Sequence, residues 1–396
     1  MTVRKLLCLV LAALMLLASC SAQPGDPTET TPPDTSPAEV SEPAPETPAE
    51  PEPEPETEPT PAEPEPEPEI ELYAQAIDTT ESNVSVERGL TYARVGDCGF
   101  SAFLAGGGAS SDQELVSFLY SLLKVPESAL SFDLPGIGCS TVAAATPDGG
   151  RVFGRNFDWS CTNVILLEAH PASGYASFST VNSDFIMEAA QSMLPAAALA
   201  IAGYYAPLDG MNEKGLAISV NMISDGARIQ QKTEKSDLTT TTAVRLLLDY
   251  AATVDEALEL LGSYDLHGSY DLMIHFAISD TTGRAVAVEY VNQEMQVTET
   301  PILTNFYVTE GEKYGIGSKE SHSRFEELER FTAAHETANA GEIREALIAV
   351  GESNFDPSEK TEWSVIYDQT NLTATWYRRE RFEEGWTATL PVTQDP

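Results

Sequence analysis

The sequence predicts a layered α+β protein in residues 71–396. Strand segments occur in groups that are separated by groups of helices, without the strict alternation of a doubly wound parallel sheet. Two helix-capping patterns, at Ser111 and Thr253, each precede apolar residues with helical spacing. A strand–turn–strand pattern follows Cys139. A segment of about 326 residues is long enough to bury one large core.

The first 20 residues predict an export signal. Arg4 and Lys5 supply a positive start, and Leu6 to Leu17 form an apolar core that is short for a transmembrane helix. The run Leu-Ala-Ser-Cys that ends at Cys20 resembles a bacterial lipobox. This resemblance implies that Cys20 becomes the lipidated first residue of an extracytoplasmic protein anchored to the bacterial cell membrane. The alternative is ordinary secretion with an incidental cysteine.

Residues 21–70 have the composition of a disordered stalk. They hold 16 of the 26 prolines and 15 acidic residues, with no lysine or arginine. Such a segment has almost no apolar surface to bury, so folding cannot offset the loss of chain entropy. The alternating Pro-Glu run from Pro51 to Glu69 favours an extended polyproline helix. The prediction is a spacer between the membrane and the folded part.

Charge and cysteine content exclude several classes of function. The formal charge is −40, of which residues 71–396 keep −27, and this argues against a nucleic-acid partner because phosphate contacts depend on lysine and arginine. The chain has no Cys-x-x-Cys or His-Glu-x-x-His pattern, so we expect no metal and no other cofactor. Three cysteines remain outside the signal, Cys98, Cys139 and Cys161, so at least one thiol stays free. A disulfide between Cys98 and Cys161 is left open.

The helices and strands are predicted from the spacing of apolar residues and from capping, turn and proline residues between them. The capping box at Ser111 predicts a helix to Leu123, and two prolines predict a loop from 126 to 138. The predicted strands are 140–146, 151–157, 215–222, 272–278, 285–290, 295–298, 302–305, 363–367, 373–378 and 386–390. The predicted helices are 238–251, one capped at Thr253, one from Ser323 to Thr332, and 343–350.

The register of the first hairpin decides which side chains surround Cys139. A turn centred between Asp148 and Gly149 places Asp158 opposite Cys139. In an unbroken strand Arg155 then points to the other face. Its approach to the thiol therefore requires a bulge or a strand end near Asn156.

Cys139 is the candidate nucleophile. A cysteine attacks as its thiolate, so it needs a base and a positive charge close by. Arg155 and Asp158 are the candidates for these surroundings. Taken singly, the cysteine would be a small buried apolar residue, and the Arg and Asp would form a surface ion pair.

Five ordered motifs in 139–330 resemble the choloylglycine hydrolase and acid-ceramidase-like group of N-terminal-nucleophile hydrolases. They are Cys139, Gly154-Arg155-Asn156-Phe157-Asp158-Trp159, Asn212-Glu213-Lys214-Gly215-Leu216-Ala217-Ile218 followed by Asn221, Ile302-Leu303-Thr304-Asn305, and Gly315-Ile316-Gly317 leading to Ser323-Arg324-Phe325. The interval to Asn221 is one residue shorter than in the group's pattern. The resemblance implies a four-layer αββα sandwich of two antiparallel sheets, and hydrolysis of a linear, non-peptide carbon–nitrogen amide bond.

The resemblance also implies self-cleavage. Cys139 would attack the carbonyl of Gly138 and become the first residue of a catalytic domain, 139–396. Its free α-amine, with a pKa of about 7.7–8.0, then serves as the base. Residues 71–138 would be a propeptide or a retained small subunit, as in acid ceramidase; bile salt hydrolases differ, since their cysteine directly follows the initiator Met.

Catalytic roles follow for the other matched residues. Asp158 would hold the α-amine, and Arg155 would favour the thiolate. The resemblance implies that Asn221 and Asn305 donate hydrogen bonds to the oxyanion. Arg324, near a helix N-terminus, would add positive charge.

The expected partner is a small-molecule N-acyl substrate. Bile salts, N-acyl amino acids, N-acyl lactones, penicillin V and N-acyl lipids share a linear amide, and the sequence does not choose among them. Phe157, Trp159, Phe185 and Tyr204 are candidates for an acyl pocket, with core packing as the default. The rival functions are an acyltransferase of the same family with an amine acceptor, and a non-catalytic surface binding lipoprotein. The number of subunits is left open.

Overall fold

Two large β-sheets form the centre of the protein. The computed structural model describes residues 73–77, 90–123, 138–159, 162–186, 196–356 and 360–391. These described residues all fall within one compact unit. The predicted signal with Cys20, the predicted stalk and Cys161 lie outside the described residues.

The larger sheet has nine strands. They are β1 (Tyr73–Ile77), β2 (Leu90–Val95), β5 (Val164–Ala169), β6 (Ser177–Asn182), β7 (Asp209–Asn212), β8 (Ala217–Ile223), β11 (Met273–Ser279), β12 (Ala285–Val291) and β13 (Glu294–Glu299), in this spatial order. Neighbouring strands are antiparallel except β2 and β5, which run parallel. The short strands β9 (Asp237–Thr239) and β10 (Asp265–His267) form a separate parallel pair.

The smaller sheet has six strands and is antiparallel throughout. Its spatial order is β14 (Ile302–Leu303), β3 (Gly138–Ala145), β4 (Arg151–Trp159), β15 (Lys360–Asp368), β16 (Thr373–Arg378) and β17 (Trp386–Thr389). β3 begins with the two residues of the expected cleavage bond, and it is flanked by β4 and β14. The expected nucleophile therefore lies in an inner part of this sheet.

The helices cover the outer faces of the two sheets. They are α1 (Phe100–Ala105), α2 (Asp112–Leu123), α3 (Ala196–Tyr204), α4 (Thr240–Tyr250), α5 (Val254–Gly262), α6 (Lys319–Ala334) and α7 (Ala340–Ala349). The Thr253 side chain caps α5 as predicted, accepting from the N–H of Glu256 at 3.2 Å. Within the described part of the chain, no helix has the length and apolar composition needed to span a bilayer.

Three apolar layers show that the protein is a four-layer αββα sandwich. One layer packs α1 to α5 against the nine-stranded sheet, and includes Phe103, Leu119 and Leu247. A second lies between the two sheets and includes Ala277 of the nine-stranded sheet and Phe157 of the six-stranded sheet. A third packs α6 and α7 against the outer face of the six-stranded sheet. The predicted fold class is confirmed, with the parallel β2–β5 pair as an addition.

The segment before Cys139 is part of this core. β2 pairs with β5 along six residues, from Leu90 opposite Val164 to Val95 opposite Ala169. Apolar side chains of α1 and α2 lie in the same cluster as α3 and α4. The sequence analysis predicted none of β2, β5, β6 and β7. In β5 the reason is a continuous buried run without alternation.

The register of the β3–β4 hairpin differs by one residue from the prediction. Cys139 faces Phe157, and Asp158 faces Gly138. The loop has three residues rather than two, since the N–H of Thr146 donates to the carbonyl of Gly150 at 3.0 Å. A positive φ of 89° at Gly149 permits this three-residue turn.

Because directly opposed residues share a face, the shift reverses two predictions. Thr141 faces Arg155, so Arg155 lies on the same face as Cys139 without any bulge at Asn156. Asp158 lies on the other face. The bulge in this region is in β15, between Thr361 and Trp363.

Replacement of Gly149 should destabilise the hairpin. In Gly149→Ala a Cβ meets no atom within 4 Å, so the cost arises from the left-handed backbone and is expected to be about 1–2 kcal/mol. Gly262→Ala, at the end of α5 and equally unobstructed, is the control and should be neutral or slightly stabilising. Chemical denaturation measures both; equal stabilities of the two variants would contradict the strain at Gly149.

Candidate active site

Cys139 lies on the face of β3 that is turned towards the nine-stranded sheet. Its side chain is fully buried. The Sγ atom accepts from Nη2 of Arg155 at 3.4 Å, and the thiol donates to the carbonyl of Val220 on β8 at 3.7 Å. The thiol is therefore held between a guanidinium and the backbone of the opposite sheet.

Arg155 is fixed by a network that the sequence did not reveal. Its guanidinium forms an ion pair with Asp209 on β7, and both side chains are fully buried. Asp209 also accepts from Nε1 of Trp363 at 3.0 Å and from the hydroxyl of Tyr367 at 2.7 Å. The carbonyl of Val220 accepts from Nη2 of Arg155 at 2.8 Å. Asp209 thus orients the charge that faces Sγ.

The electrostatics of the site keep the thiol protonated in the uncleaved chain. Burial raises the pKa of the Cys139 thiol, and the charge of Arg155 opposes this rise. An additional base is therefore needed for attack near neutral pH. The α-amine released by cleavage at Cys139 would have a suitable pKa, about 7.7–8.0.

Asp158 and Arg324 form a second buried ion pair, on the outer face of the six-stranded sheet. The other oxygen of Asp158 accepts from the hydroxyl of Thr361 at 2.6 Å. Burial raises the pKa of Asp158, and Arg324 and Thr361 oppose this rise. A Cβ placed on Gly138 would lie 3.0 Å from Cβ of Asp158 and 3.3 Å from Nη1 of Arg324. The pair therefore flanks Gly138, the residue before Cys139.

Arg324 does not lie at a helix N-terminus, contrary to expectation. α6 begins at Lys319, and its cap is Ser318, whose Oγ accepts from the N–H of Ser321 at 3.1 Å. Arg324 is consequently in the second turn. Its charge reaches the site through its long side chain, which lies between Asp158 and Asn305.

Asn305 connects the two faces of the site. Its Oδ1 accepts from the backbone N–H of Cys139 at 2.7 Å and from Nη2 of Arg324 at 3.0 Å. Its Nδ2 donates to the carbonyl of Met222 at 2.7 Å. The Oγ of Ser321 accepts from the N–H of Asn305 at 2.6 Å. In this structure Oδ1 of Asn305 is an acceptor at the backbone nitrogen of Cys139. The oxyanion-donor role that the resemblance implies stays a prediction.

Asn221 lies next to Val220 on β8 and faces the six-stranded sheet. Its Nδ2 donates to the carbonyl of Thr304 at 3.2 Å, and its Oδ1 accepts from Ser219 at 3.0 Å. The side-chain amide of Asn221 therefore holds the carbonyl of Thr304, the residue before Asn305. The structure brings Asn221 into the network around Cys139, although its donor is directed at the backbone.

The four aromatic candidates separate into two groups. Phe157, Trp159 and Phe185 pack together between the sheets, with Phe157 also stacked on Trp363 at 3.8 Å. Tyr204 lies in the layer under α3 and α4, and its hydroxyl donates to Asp249 at 2.6 Å. The first group adjoins Cys139 in the same cluster. Tyr204 is excluded from a pocket there.

Several site residues escaped the sequence analysis. They are Asp209, Ser321, Thr361, Trp363 and Tyr367. For Asp209 the available signal was an acidic residue inside the apolar stretch 206–211; the others have no distinguishing local pattern. Among the described residues, no group of three or more His, Cys, Asp or Glu side chains is arranged to hold a metal ion.

Comparison with known proteins points to the same part of the chain. Residues 139–327, a little under half of the chain, match the family model described as linear amide C–N hydrolases, choloylglycine hydrolase family. The chain matches no curated protein sequence.

Two solved structures that match part of this chain are a bile acid hydrolase and a penicillin V acylase. A mutant conjugated bile acid hydrolase from Clostridium perfringens is 17% identical, with 64% of this chain and 92% of that chain covered and a TM-score of 0.48. The penicillin V acylase from Agrobacterium tumefaciens is 17% identical, with 61% and 83% covered and a TM-score of 0.43. The family match, and not these distant likenesses, carries the conclusion: residues 139–327 are similar to the linear amide C–N hydrolases of the choloylglycine hydrolase family, and this similarity indicates a hydrolase of linear amides.

Proposed function

We propose that the protein is a self-processing hydrolase that cleaves the linear amide bond of a small N-acyl compound with Cys139 as its N-terminal nucleophile. The observation that carries the proposal is the pairing of Cys139 with two fixed groups: Arg155 at its sulfur, 3.4 Å away, and Asn305 at its nitrogen, 2.7 Å away. A buried structural cysteine needs neither a guanidinium at sulfur nor a side-chain acceptor at nitrogen.

Self-cleavage proceeds through the bond between Gly138 and Cys139. The sulfur of Cys139 adds to the carbonyl carbon of Gly138, the carbon–nitrogen bond breaks, and the thiol proton passes to the departing nitrogen. Water then hydrolyses the thioester to a carboxylate at Gly138 and a free thiol. The lack of a side chain at Gly138 supports this step, because Asp158 and Arg324 occupy the space that a Cβ would need.

Turnover reuses the same atoms. The α-amine of Cys139 takes the thiol proton, the sulfur attacks the substrate amide carbon, and the amine returns the proton to the leaving nitrogen. Water then hydrolyses the acyl thioester. Arg155 favours the thiolate during attack, and Asn305 and Asp158 lie on the side of the α-amine.

Intact mass analysis tests the cleavage. We expect the purified wild type to contain two chains, the second being residues 139–396, and Cys139→Ala to remain a single chain without activity. The expected loss is complete, because the same sulfur performs both reactions. A wild type that stays uncut while hydrolysing amides would refute the N-terminal mechanism.

A panel of N-acyl substrates identifies the acyl class. Bile salts, N-acyl amino acids, N-acyl lactones, penicillin V and N-acyl lipids are incubated with wild type and Cys139→Ser, and the released amine is measured. An added acceptor amine separates hydrolysis from acyl transfer, since only transfer gives a new amide. No release by wild type from any substrate, together with an uncut chain, would favour a binding protein.

The placement of the enzyme is a further part of the proposal. Lipidation at Cys20 and the acidic Pro-Glu stalk would hold it outside the bacterial cell membrane, where small N-acyl compounds are accessible. Retention of the segment before Cys139 is supported by the strand pairing of β2 with β5 and by the buried side chains of α1 and α2. Co-purification of the two chains, and lipid mass on the first, test these points.

A further inference from the structure

A buried histidine–glutamate pair lies beside the segment that carries Asn305. His275 on β11 and Glu289 on β12 are both fully buried. Nδ1 of His275 is 2.8 Å from Oε1 of Glu289. Neither residue has a part in the steps above, although they face the interior between the sheets on the same side as Asn221, which lies opposite His275 on β8.

The pair binds the backbone on both sides of Asn305. Nε2 of His275 is 2.9 Å from the carbonyl oxygen of Thr304. Glu289 accepts from the N–H of Val308 at 3.0 Å and from the N–H of Thr309 at 2.7 Å, one with each oxygen. Three backbone groups of the segment 304–309 are thus fixed to two side chains of the nine-stranded sheet.

The hydrogen-bond pattern fixes one proton of the pair. A carbonyl oxygen only accepts, so Nε2 of His275 carries a proton. Burial acts to raise the pKa of Glu289, but the interaction with His275 and the hydrogen bonds from Thr309 and Val308 together hold that pKa below its ordinary value. Glu289 therefore serves as an acceptor for the backbone, with Nδ1 of His275 beside it at 2.8 Å.

A buried polar pair with three hydrogen bonds to one short segment restrains the backbone of that segment. The residue concerned is Asn305. His275 and Asn221 hold its preceding carbonyl, and Ser321 holds its N–H. With its backbone fixed, Asn305 keeps Oδ1 2.7 Å from the nitrogen of Cys139.

We propose that the hydrogen-bonded His275–Glu289 pair is a positioning element of the active site, which sets the place of Asn305 against the nitrogen of Cys139 by binding the 304–309 backbone. This inference rests on the proposed function, since it gives Asn305 a task in cleavage and turnover. Neither side chain touches the reacting atoms. Their contribution is to the rate, through the placement of Asn305.

The test compares His275→Gln and Glu289→Gln with the wild type. Each is expected to lower kcat for amide hydrolysis, and the rate of self-cleavage, by up to about 100-fold with little change in KM, because a misplaced catalytic group lowers the rate steeply. The control is His267→Gln, which removes a His–carboxylate contact of 2.7 Å to Asp237 at a site remote from Asn305. It should keep the wild-type kcat.

Nitrogen-15 NMR of the histidine-labelled wild-type protein provides a readout that does not depend on the variants folding. The ring signal of His275, assigned from its resistance to hydrogen exchange, should show a proton on Nε2, the nitrogen that faces the carbonyl of Thr304. An unprotonated Nε2 would overturn the proposal, as would wild-type kcat in both His275→Gln and Glu289→Gln. A wild type that is uncut and inactive would instead refute the proposed function, which keeps the two failures distinct.

Discussion

Asn305→Leu is expected to reduce kcat/KM by about 100- to 1000-fold, the range measured when one hydrogen-bonding group is removed from a reaction centre. The substitution removes the acceptor for the nitrogen of Cys139 and for Arg324, and the donor to Met222. Self-cleavage should slow by a similar factor. Steady-state kinetics and a cleavage time course measure the two effects, with thermal unfolding as the check on folding.

Asn305→Asp separates the two possible roles of the amide. The carboxylate keeps both acceptor contacts and loses only the donor. If Asn305 acts mainly as an acceptor, as in the present structure, this variant should lie within about tenfold of wild type. Added negative charge beside the α-amine raises the pKa of that amine, so the deprotonated base forms at higher pH and the acid limb of the rate profile moves up. Equal losses in both variants would instead favour the oxyanion-donor role.

Asp209→Asn is expected to lower the free energy of unfolding by about 3–5 kcal/mol, since it leaves the Arg155 guanidinium buried without a counter-charge. This is a large part of the total stability of a typical domain, about 5–15 kcal/mol. Trp363 and Tyr367 each donate to a different oxygen of Asp209, so the amide satisfies only one of them. Denaturant titration measures the effect.

Two controls identify the cause. Glu345→Gln, in the exposed pair with Arg344 at 3.2 Å, should cost less than about 1 kcal/mol. The double variant Arg155→Met/Asp209→Leu removes both buried charges and should recover much of the stability. It should stay inactive, because no charge then faces the Cys139 sulfur. Full stability in Asp209→Asn, or activity in the double variant, would contradict the role assigned to this pair.

Local elements were predictable because their determinants are close in sequence. The cap at Thr253, the strands from Met273 to Glu299 and the existence of the β3–β4 hairpin all depend on neighbouring residues. A competing local signal explains the error at α6. Ser318 and Ser323 both precede suitable residues, and the structure uses Ser318. Which of these two serines caps the helix depends on the residues that the helix packs against.

The residues of the site were identified by their motifs, but not their arrangement. Cys139, Arg155, Asn305 and Arg324 do lie in one network. The faces of Arg155 and Asp158 relative to Cys139 were predicted in reverse, because a turn of three residues at Gly149 shifts the register by one. In a β-strand a shift of one residue moves each side chain to the other face.

The sequence by itself therefore determined the layered α+β class and singled out Cys139 as the candidate nucleophile with some of the residues around it, since these depend on composition, periodicity and ordered motifs. Only the tertiary structure decided that Arg155 faces the thiol while Asp158 flanks Gly138, and that Asp209, His275 and Glu289 support them. The physical reason is distance along the chain. Ion pairs and hydrogen bonds between strands of two different sheets form only when those sheets pack, and no local pattern specifies their partners.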